Sequence, residues 1–484
     1  MVMGVLSNIE PKEVFEHFEA LSMVPRRSFR NDKISAFCVQ FARDHGLDYV
    51  QDDLGNVIIY KPGTEGYENS EPVILQGHMD MVAAKTTDSD HDFDNDPLEL
   101  FVDGENIGAR NTTLGADDGF ALAFAMAVLA SDDIPHPPIE AVFTIDEEVG
   151  MMGAAGLDTS LLKGRKVLNL DGEDEGLFTV GCAGANILDV VIPVAKETRN
   201  GALVTIRIRG YQGGHSGNEI HNQHGNAHKD MARILYALSR DYDFSVLSLD
   251  GGSGANVIAK FSTAEIVIDA DKAEKFAEDL MALSEVIEEE YSGQEPDMKI
   301  MVKIGEEGSY KAFDADSTAR VIGYLYGTPE GVQCMERTVE NAVETSLNTG
   351  VVATEEASVR VSYQMRSSKA SKLDEMMNRI RLWCDIAGAE IEMIGSFPAW
   401  AYNPVSELRP LMVNVYKDLY GEEPVCAVMH CGLEGGIFAD KNPEFDIVTF
   451  GPDLRGVHTP DERLNIPSTR RTWEYLKAIL AACK

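Results

Sequence analysis

Histidine and carboxylate residues fall together in five short stretches: Gly77-His78-Met79-Asp80, Gly115-Ala116-Asp117-Asp118-Gly119, Asp146-Glu147-Glu148, Asn169-Leu170-Asp171-Gly172 and His458-Thr459-Pro460. They recur where predicted strands end, and in an open α/β sheet the carboxyl ends of the strands share one rim, so the stretches can converge. Imidazole nitrogen with carboxylate oxygen, and no thiolate, suits Zn²⁺, Mn²⁺ or Co²⁺, while two histidines argue against a pure Mg²⁺ or Ca²⁺ cage. With several carboxylates to share, two divalent ions about 3.5–4 Å apart become feasible, one carboxylate bridging them. Glu147 and Glu148 leave a strand side by side and can point different ways, so one can coordinate while the other faces water. Singly each stretch is ordinary: Asp117, ahead of the helix GFALAFAMAVLAS, could be a plain helix cap, and His458 a loop residue. The ordered set is what points to a hydrolytic metal site.

The elements that must position these residues are legible in the hydrophobic pattern. PVILQG, GFALAFAMAVLAS, IEAVFTI and KVLNL alternate strand and helix, the signature of a mostly parallel sheet flanked by helices. Near the other end, ELRPLMVNVYKDLYG and RTWEYLKAILAACK read as helices around the buried strand FDIVTFG. IEPKEVFEHFEALSMV opens the chain as an amphipathic helix with Pro11 near its start. The middle differs. ALVTIRIRGY and SVRVSYQMRS alternate like half-buried strands, and AHKDMARILYALSR and DKAEKFAEDLMALSEVIEEE read as amphipathic helices, which predicts an α+β insert with an antiparallel sheet. The strands around Arg207 and Arg360 look like counterparts in a duplicated unit. The expected organisation is an α/β catalytic domain in two parts, residues 1–185 and 396–484, interrupted by an inserted lid domain at 186–395.

At 484 residues the chain exceeds one hydrophobic core. Its 42 Lys and Arg against 80 Asp and Glu leave a net charge of −38, which repels nucleic acid and anionic lipid. Seven scattered cysteines form no CxxC pair and suggest no disulfide framework, and no apolar run reaches the roughly 18 residues of a membrane span. A cytoplasmic location is expected.

Taken in order, the opening IEPKEVFEHFEALSMVPRRS, then HMDMV, NTTLGADDG, DEEVGMMGA, NLDGED and GPDLRGVHTPDERL resemble the M20 peptidase family, and within it the aminoacyl-histidine dipeptidase subgroup, from end to end. That resemblance implies that His78 and His458 each cap one of two metal ions, most simply Zn²⁺ with Mn²⁺ or Co²⁺ as alternatives. Asp117 would bridge them, and Asp171 and Glu148 would complete one site each. It makes Glu147 the general base, taking a proton from the attacking water and delivering it to the leaving amine, and has Asp80 hydrogen-bond the His78 imidazole and fix its tautomer. In the insert, the glycines of Gly213-Gly214-His215-Ser216-Gly217 suggest a turn presenting a histidine. By resemblance His215 helps polarise the scissile carbonyl, Asn256 and Arg366 contact the substrate's carbonyl and C-terminal carboxylate, and Gly432 in HCGLEGG lines the cleft while Glu434 is structural.

The expected activity is hydrolysis of dipeptides, Xaa-His types included, by a homodimer. The alternatives are an amidohydrolase acting on N-acyl amino acids or tripeptides, and a metal-dependent binding protein without turnover. His430 beside Cys431 does not make a cysteine nucleophile, since nucleophile and base usually meet through the fold. The acidic run DSDHDFDND lacks the glycine and glutamate spacing of a Ca²⁺ loop.

Overall fold

The structure, a computed structural model, describes residues 4–484 and separates into two compact units. One comprises the chain up to Cys182 with Tyr402–Val428 and Leu433–Lys484; the other comprises Ala183–Ala401 with Met429–Gly432.

The first unit is built on an eight-stranded sheet, in spatial order Asp48–Gln51, Val57–Lys61, Ile139–Thr144, Val73–His78, Lys166–Asn169, Asp446–Thr449, Leu177–Cys182 and Val425–Met429. The four strands from Ile139–Thr144 to Asp446–Thr449 run parallel, and the antiparallel pairings lie at the flanks. Strands 73–78 and 139–144 are buried at every position, as a sheet covered on both faces requires. The helix Ala116–Ala130 is buried from Ala116 through Leu129, which explains a composition that is apolar all round. Phe124 stacks on Trp473 of the closing helix Ile466–Ala482, with ring centroids 5.7 Å apart. That helix begins before the predicted RTWEYLKAILAACK stretch, because Asn465 caps it by accepting from the Ser468 N–H and Pro467 fits its first turn.

A small antiparallel sheet joins Leu454–Arg455, Arg463–Asn465, Asn106–Ala109 and Leu100–Asp103. Its first two strands form a hairpin whose connecting loop carries His458 and Glu462.

The second unit is an antiparallel sheet with helices. Along the strand Lys196–Arg209, Val204, Ile206 and Ile208 are fully buried while Arg207 and Arg209 are exposed, the period of two that a one-sided sheet imposes. Its topology is a βαββαβ fold repeated. Strand 196–209, helix 227–238, strands 244–252 and 262–268, helix 273–291 and strand 299–313 form one copy, ordered in space 299–313, 196–209, 262–268, 244–252. Strand 184–193, helix 315–327, strands 343–354 and 358–367, helix 370–387 and strand 390–397 form the other, in the same relative order reversed. The copies join where Gly251 and Gly252 pair with Val352 and Val351.

The duplication is therefore present, but the expected correspondence is wrong. Arg207 sits on the first strand of its copy and Arg360 on the third strand of the other. Their counterparts are the 184–193 and 262–268 strands. Any half-buried strand in the middle of a sheet alternates in the same way, so alternation could not tell first from third. Met429–Gly432 also falls in the second unit, where the Met429 carbonyl accepts the Ala183 N–H at 2.9 Å.

Candidate metal centre

Three of the four parallel strands of the first unit deliver site residues at their carboxyl ends. His78 is the last residue of its strand, Asp146 to Glu148 follow 139–144, and Asp171 follows 166–169. Asp146 and His458 adopt left-handed φ of 51° and 65°, conformations that cost a non-glycine residue on the order of 1–3 kcal/mol and persist where surroundings hold them. For Asp146 the holding is visible: its Oδ1 accepts the Phe29 N–H and the Asn31 amide, each at 2.6 Å.

Asp117 is central. Its Oδ1 lies 3.0 Å from His78 Nε2 and its Oδ2 lies 3.1 Å from His458 Nε2, one oxygen to each imidazole. It is not a helix cap. Gly115 holds the cap position, the backbone departs from helical angles at Asp117 and Asp118, and the Asp117 carboxylate faces the two histidines. Glu148 Oε2 lies 2.9 Å from His458 Nε2, and Asp171 Oδ1 lies 3.8 Å from His78 Nε2. Donor atoms of His78, Asp117 and Glu148 fall within 4.8 Å of one another, as do those of His78, Asp118 and Asp171. Asp80 lies on the other side of the His78 ring, with Oδ1 3.4 Å from Nδ1, and the same oxygen accepts the Glu147 N–H at 3.0 Å.

The electrostatics are those of a site with too many buried carboxylates. Burial, reinforced by Glu434, Glu148 and Asp117 and opposed by His78, pushes Glu147 up to about 8. Burial with Asp118 and Asp117 pushes Asp171 well above the carboxylate range, and burial does the same to Asp118. Against burial, His458 and His78 hold Asp117 below that range. Hydrogen bonds to Asp117 and Glu148 raise His458 to about 10; at His78 burial works the other way, yet Asp117 and Asp80 lift it well above its ordinary value. Imidazoles and carboxylates in this excess, with no thiolate, fit a pair of divalent cations, which would relieve the repulsion.

In the second unit, His215 Nδ1 accepts the Gly217 and Asn218 N–H groups at 3.3 and 3.2 Å, so the ring proton belongs on Nε2. Arg366 Nη2 lies 3.4 Å from that Nε2. Two donors face each other there, and Arg366 Nε is buried without a partner, an arrangement that asks for an acceptor. His430 Nε2 pairs with Ser346 Oγ at 2.7 Å, and burial together with Arg366 lowers its imidazolium to about 3. Asn256 is exposed and its carbonyl accepts the Ser216 N–H at 2.8 Å. Gly432 packs so closely that a Cβ there would lie 2.5 Å from the Phe397 ring. The structure thus gathers His215 and Arg366 directly, brings Asn256 beside them through backbone contacts, and places Gly432 next to His430.

Several contributors were not assigned from sequence. Ser28 donates to Asp80 Oδ2 at 2.8 Å, Asp118 Oδ2 accepts the His78 N–H at 3.1 Å, and Arg26 and Glu462 bind backbone around Asp117. Beneath the site, Glu434, which the resemblance makes structural, accepts from Gln76 and from Thr144 Oγ1 and so ties the 73–78 and 139–144 strands together. Arg26 and Ser28 stand in Val24-Pro25-Arg26-Arg27-Ser28, where nothing separates the buried Arg26 from its partly exposed neighbour Arg27.

With this geometry, relatives are informative. The cytosol non-specific dipeptidase of Escherichia coli (strain K12) is 34% identical over 480 residues, spanning 99% of this chain and 99% of that protein. The crystal structure of aminoacylhistidine dipeptidase from Vibrio alginolyticus matches with a TM-score of 0.93 at 36% identity, covering 99% of this chain and 98% of that one. An aminopeptidase from Bacillus cereus ATCC 10987, at 14% identity and a TM-score of 0.56 over 98% and 99% of the two chains, shares the fold alone. Residues 74–482, which carry every one of the acidic and histidine-bearing segments, match peptidase family M20/M25/M40, and the chain belongs to that family.

Proposed function

We propose that this chain is a metal-dependent dipeptidase that accepts Xaa-His substrates among others, with Glu147 as its general base. The observation that carries this reading is Asp117, whose two oxygens address His78 and His458 separately at 3.0 and 3.1 Å. The full-length likeness to two proteins named as dipeptidases supports the substrate class.

His78, Asp117 and Asp171 would hold one cation, and His458, Asp117 and Glu148 the other; Zn²⁺ suits this donor set best, with Mn²⁺ or Co²⁺ as substitutes. When bound, the ions polarise the scissile carbonyl and acidify water. Everything else falls to side chains. Glu147 takes a proton from the attacking water as its oxygen bonds to the carbonyl carbon, then passes that proton to the amide nitrogen as the C–N bond breaks. Its elevated starting value, lowered by nearby cations, is what a group exchanging a proton near neutrality needs. Asp80 keeps the Glu147 backbone and the His78 ring in fixed relation. To the second unit, as the lid, we assign substrate contacts: His215 to the carbonyl oxygen, Arg366 to the C-terminal carboxylate, Asn256 to the substrate backbone and Gly432 to the cleft wall. The paired donors of His215 and Arg366 support that assignment.

A homodimer and a cytoplasmic location complete the proposal. Leu382 and Ile386 on helix 370–387 and Met393 and Ile394 on the edge strand 390–397 are each more than half exposed, an apolar strip suited to a second copy. Among the described residues no disulfide joins the cysteines and no helix is long and apolar enough to cross a membrane. The functional test is a panel of β-Ala-His, Gly-His, Leu-Leu, a tripeptide and an N-acetyl amino acid. Turnover confined to unblocked dipeptides supports the reading; cleavage of the acylated substrate alone moves the enzyme to another amidohydrolase class.

A further inference from the structure

The segment that presents Asp117 is held from two sides by buried ions of opposite sign. Glu462 Oε2 accepts the N–H groups of Leu114 and Gly115 at 2.7 and 2.9 Å, and its Oε1 accepts those of Ala116 and Asp117 at 2.8 and 3.3 Å. Four consecutive amides, from Leu114 just ahead of the helix to Asp117 in its first turn, thus converge on one carboxylate. No side chain of the segment itself caps the helix. Arg26, fully enclosed, donates Nη2 to the Gly115 carbonyl and Nη1 to the carbonyls of Met79 and Asp80 at 3.0 and 3.2 Å.

The connections define a role. Glu462 lies four residues after His458 in the same hairpin loop, so its carboxylate joins the His458 loop to the Asp117 segment. Arg26 joins the Asp117 segment to the backbone just after His78. Both glycines of Gly115-Ala116-Asp117-Asp118-Gly119 leave room for it: a Cβ at Gly115 or Gly119 would stand 2.7 or 2.6 Å from Arg26 Nη2.

We infer that Glu462 and Arg26 are positioning residues that set the spacing of His78, Asp117 and His458, and through it cation affinity. This rests on the reading of the cluster as a two-cation centre. A glutamine at 462 offers one oxygen where two are used and turns an NH₂ toward amides that are themselves donors.

The test is competition for Zn²⁺ between the chelated full-length protein and a chromophoric chelator, with a parallel Co²⁺ absorption spectrum. Glu462→Gln should bind about 10–100-fold more weakly at one or both sites, with an altered Co²⁺ band envelope, while the circular dichroism of the metal-free protein is retained. Gly119→Ala is the second variant. A Cβ there meets Arg26 Nη2 at 2.6 Å and the Phe18 ring only at 3.2 Å, so weakened Zn²⁺ binding by a folded Gly119→Ala protein reports displacement of Arg26, and it decides the matter if Glu462→Gln does not fold. Unaltered Zn²⁺ affinity and Co²⁺ spectrum in the folded variants would overturn the inference. Failure of the unaltered chain to bind either ion would overturn the metal centre itself, a different result from loss confined to the variants.

Discussion

The backbone N–H of Glu147 donates to Oδ1 of Asp80 at 3.0 Å, so the candidate base is tied to a residue that also faces the His78 ring. Asp80 is in turn fixed by Ser28 at 2.8 Å. Replacing Asp80 with Ala should therefore lower kcat and metal affinity together, by about 10–100-fold. Steady-state kinetics alongside elemental analysis after dialysis would check it; loss of kcat at full metal content would assign Asp80 to the base alone.

Glu147 itself donates no atom to the two sets that lie within coordinating reach, His78 with Asp117 and Glu148, and His78 with Asp118 and Asp171. Glu147→Gln should reduce kcat by about 10²–10⁴-fold with two cations still bound. An active, loaded variant would contradict its assignment as base.

The pH dependence has a definite sign. Asp117 and Glu148 hold His458 at about 10, well above its ordinary 6.5. In the metal-free protein that contribution to stability is complete below pH 6.5 and disappears as pH rises through 10. Glu147, raised to about 8 chiefly by burial, acts in the same direction, favouring the fold less as pH climbs from 4.5 to 8. The chelated protein should melt at lower temperature as the pH is raised from 6.5 to 9. Cations need the neutral imidazole, so binding should release protons and tighten over the same interval. Calorimetry in buffers of different ionisation enthalpy measures that release.

Gly77→Ala should damage the centre from beneath. An added Cβ would stand 2.6 Å from both Asp118 Oδ2 and Ala121 Cβ, against the carboxylate that accepts the His78 N–H. Overpacking of this kind costs about 1–3 kcal/mol. A lower unfolding midpoint together with weaker cation binding is expected.

Arg366→Ala should raise KM with kcat much less affected, since a charged contact to the substrate carboxylate is worth about 1.5–3 kcal/mol, or roughly 10–150-fold. Esterifying the dipeptide's carboxylate should reproduce the loss in the unaltered protein and add nothing in the variant.

The sequence revealed the parallel strands because PVILQG and IEAVFTI are apolar at consecutive positions, as strands buried on both faces must be. It revealed the histidines and carboxylates because their order along the chain is distinctive, and the structure brings His78, Asp117, Glu148, Asp171 and His458 together. What it did not reveal were residues acting on backbone. Arg26 and Glu462 grip carbonyl and amide groups, which every residue owns, so no side-chain pattern marks their partners. The counterpart strands of the duplicated unit were misassigned for a related reason: alternation reports burial, whereas a strand's place within βαββαβ is fixed by pairing.

The most direct measurement is stepwise addition of Zn²⁺ or Mn²⁺ to the chelated protein while β-Ala-His hydrolysis is followed. No turnover is expected without metal, and recovery should complete with the second equivalent per chain. Turnover that resists chelation would contradict a metal-dependent reaction.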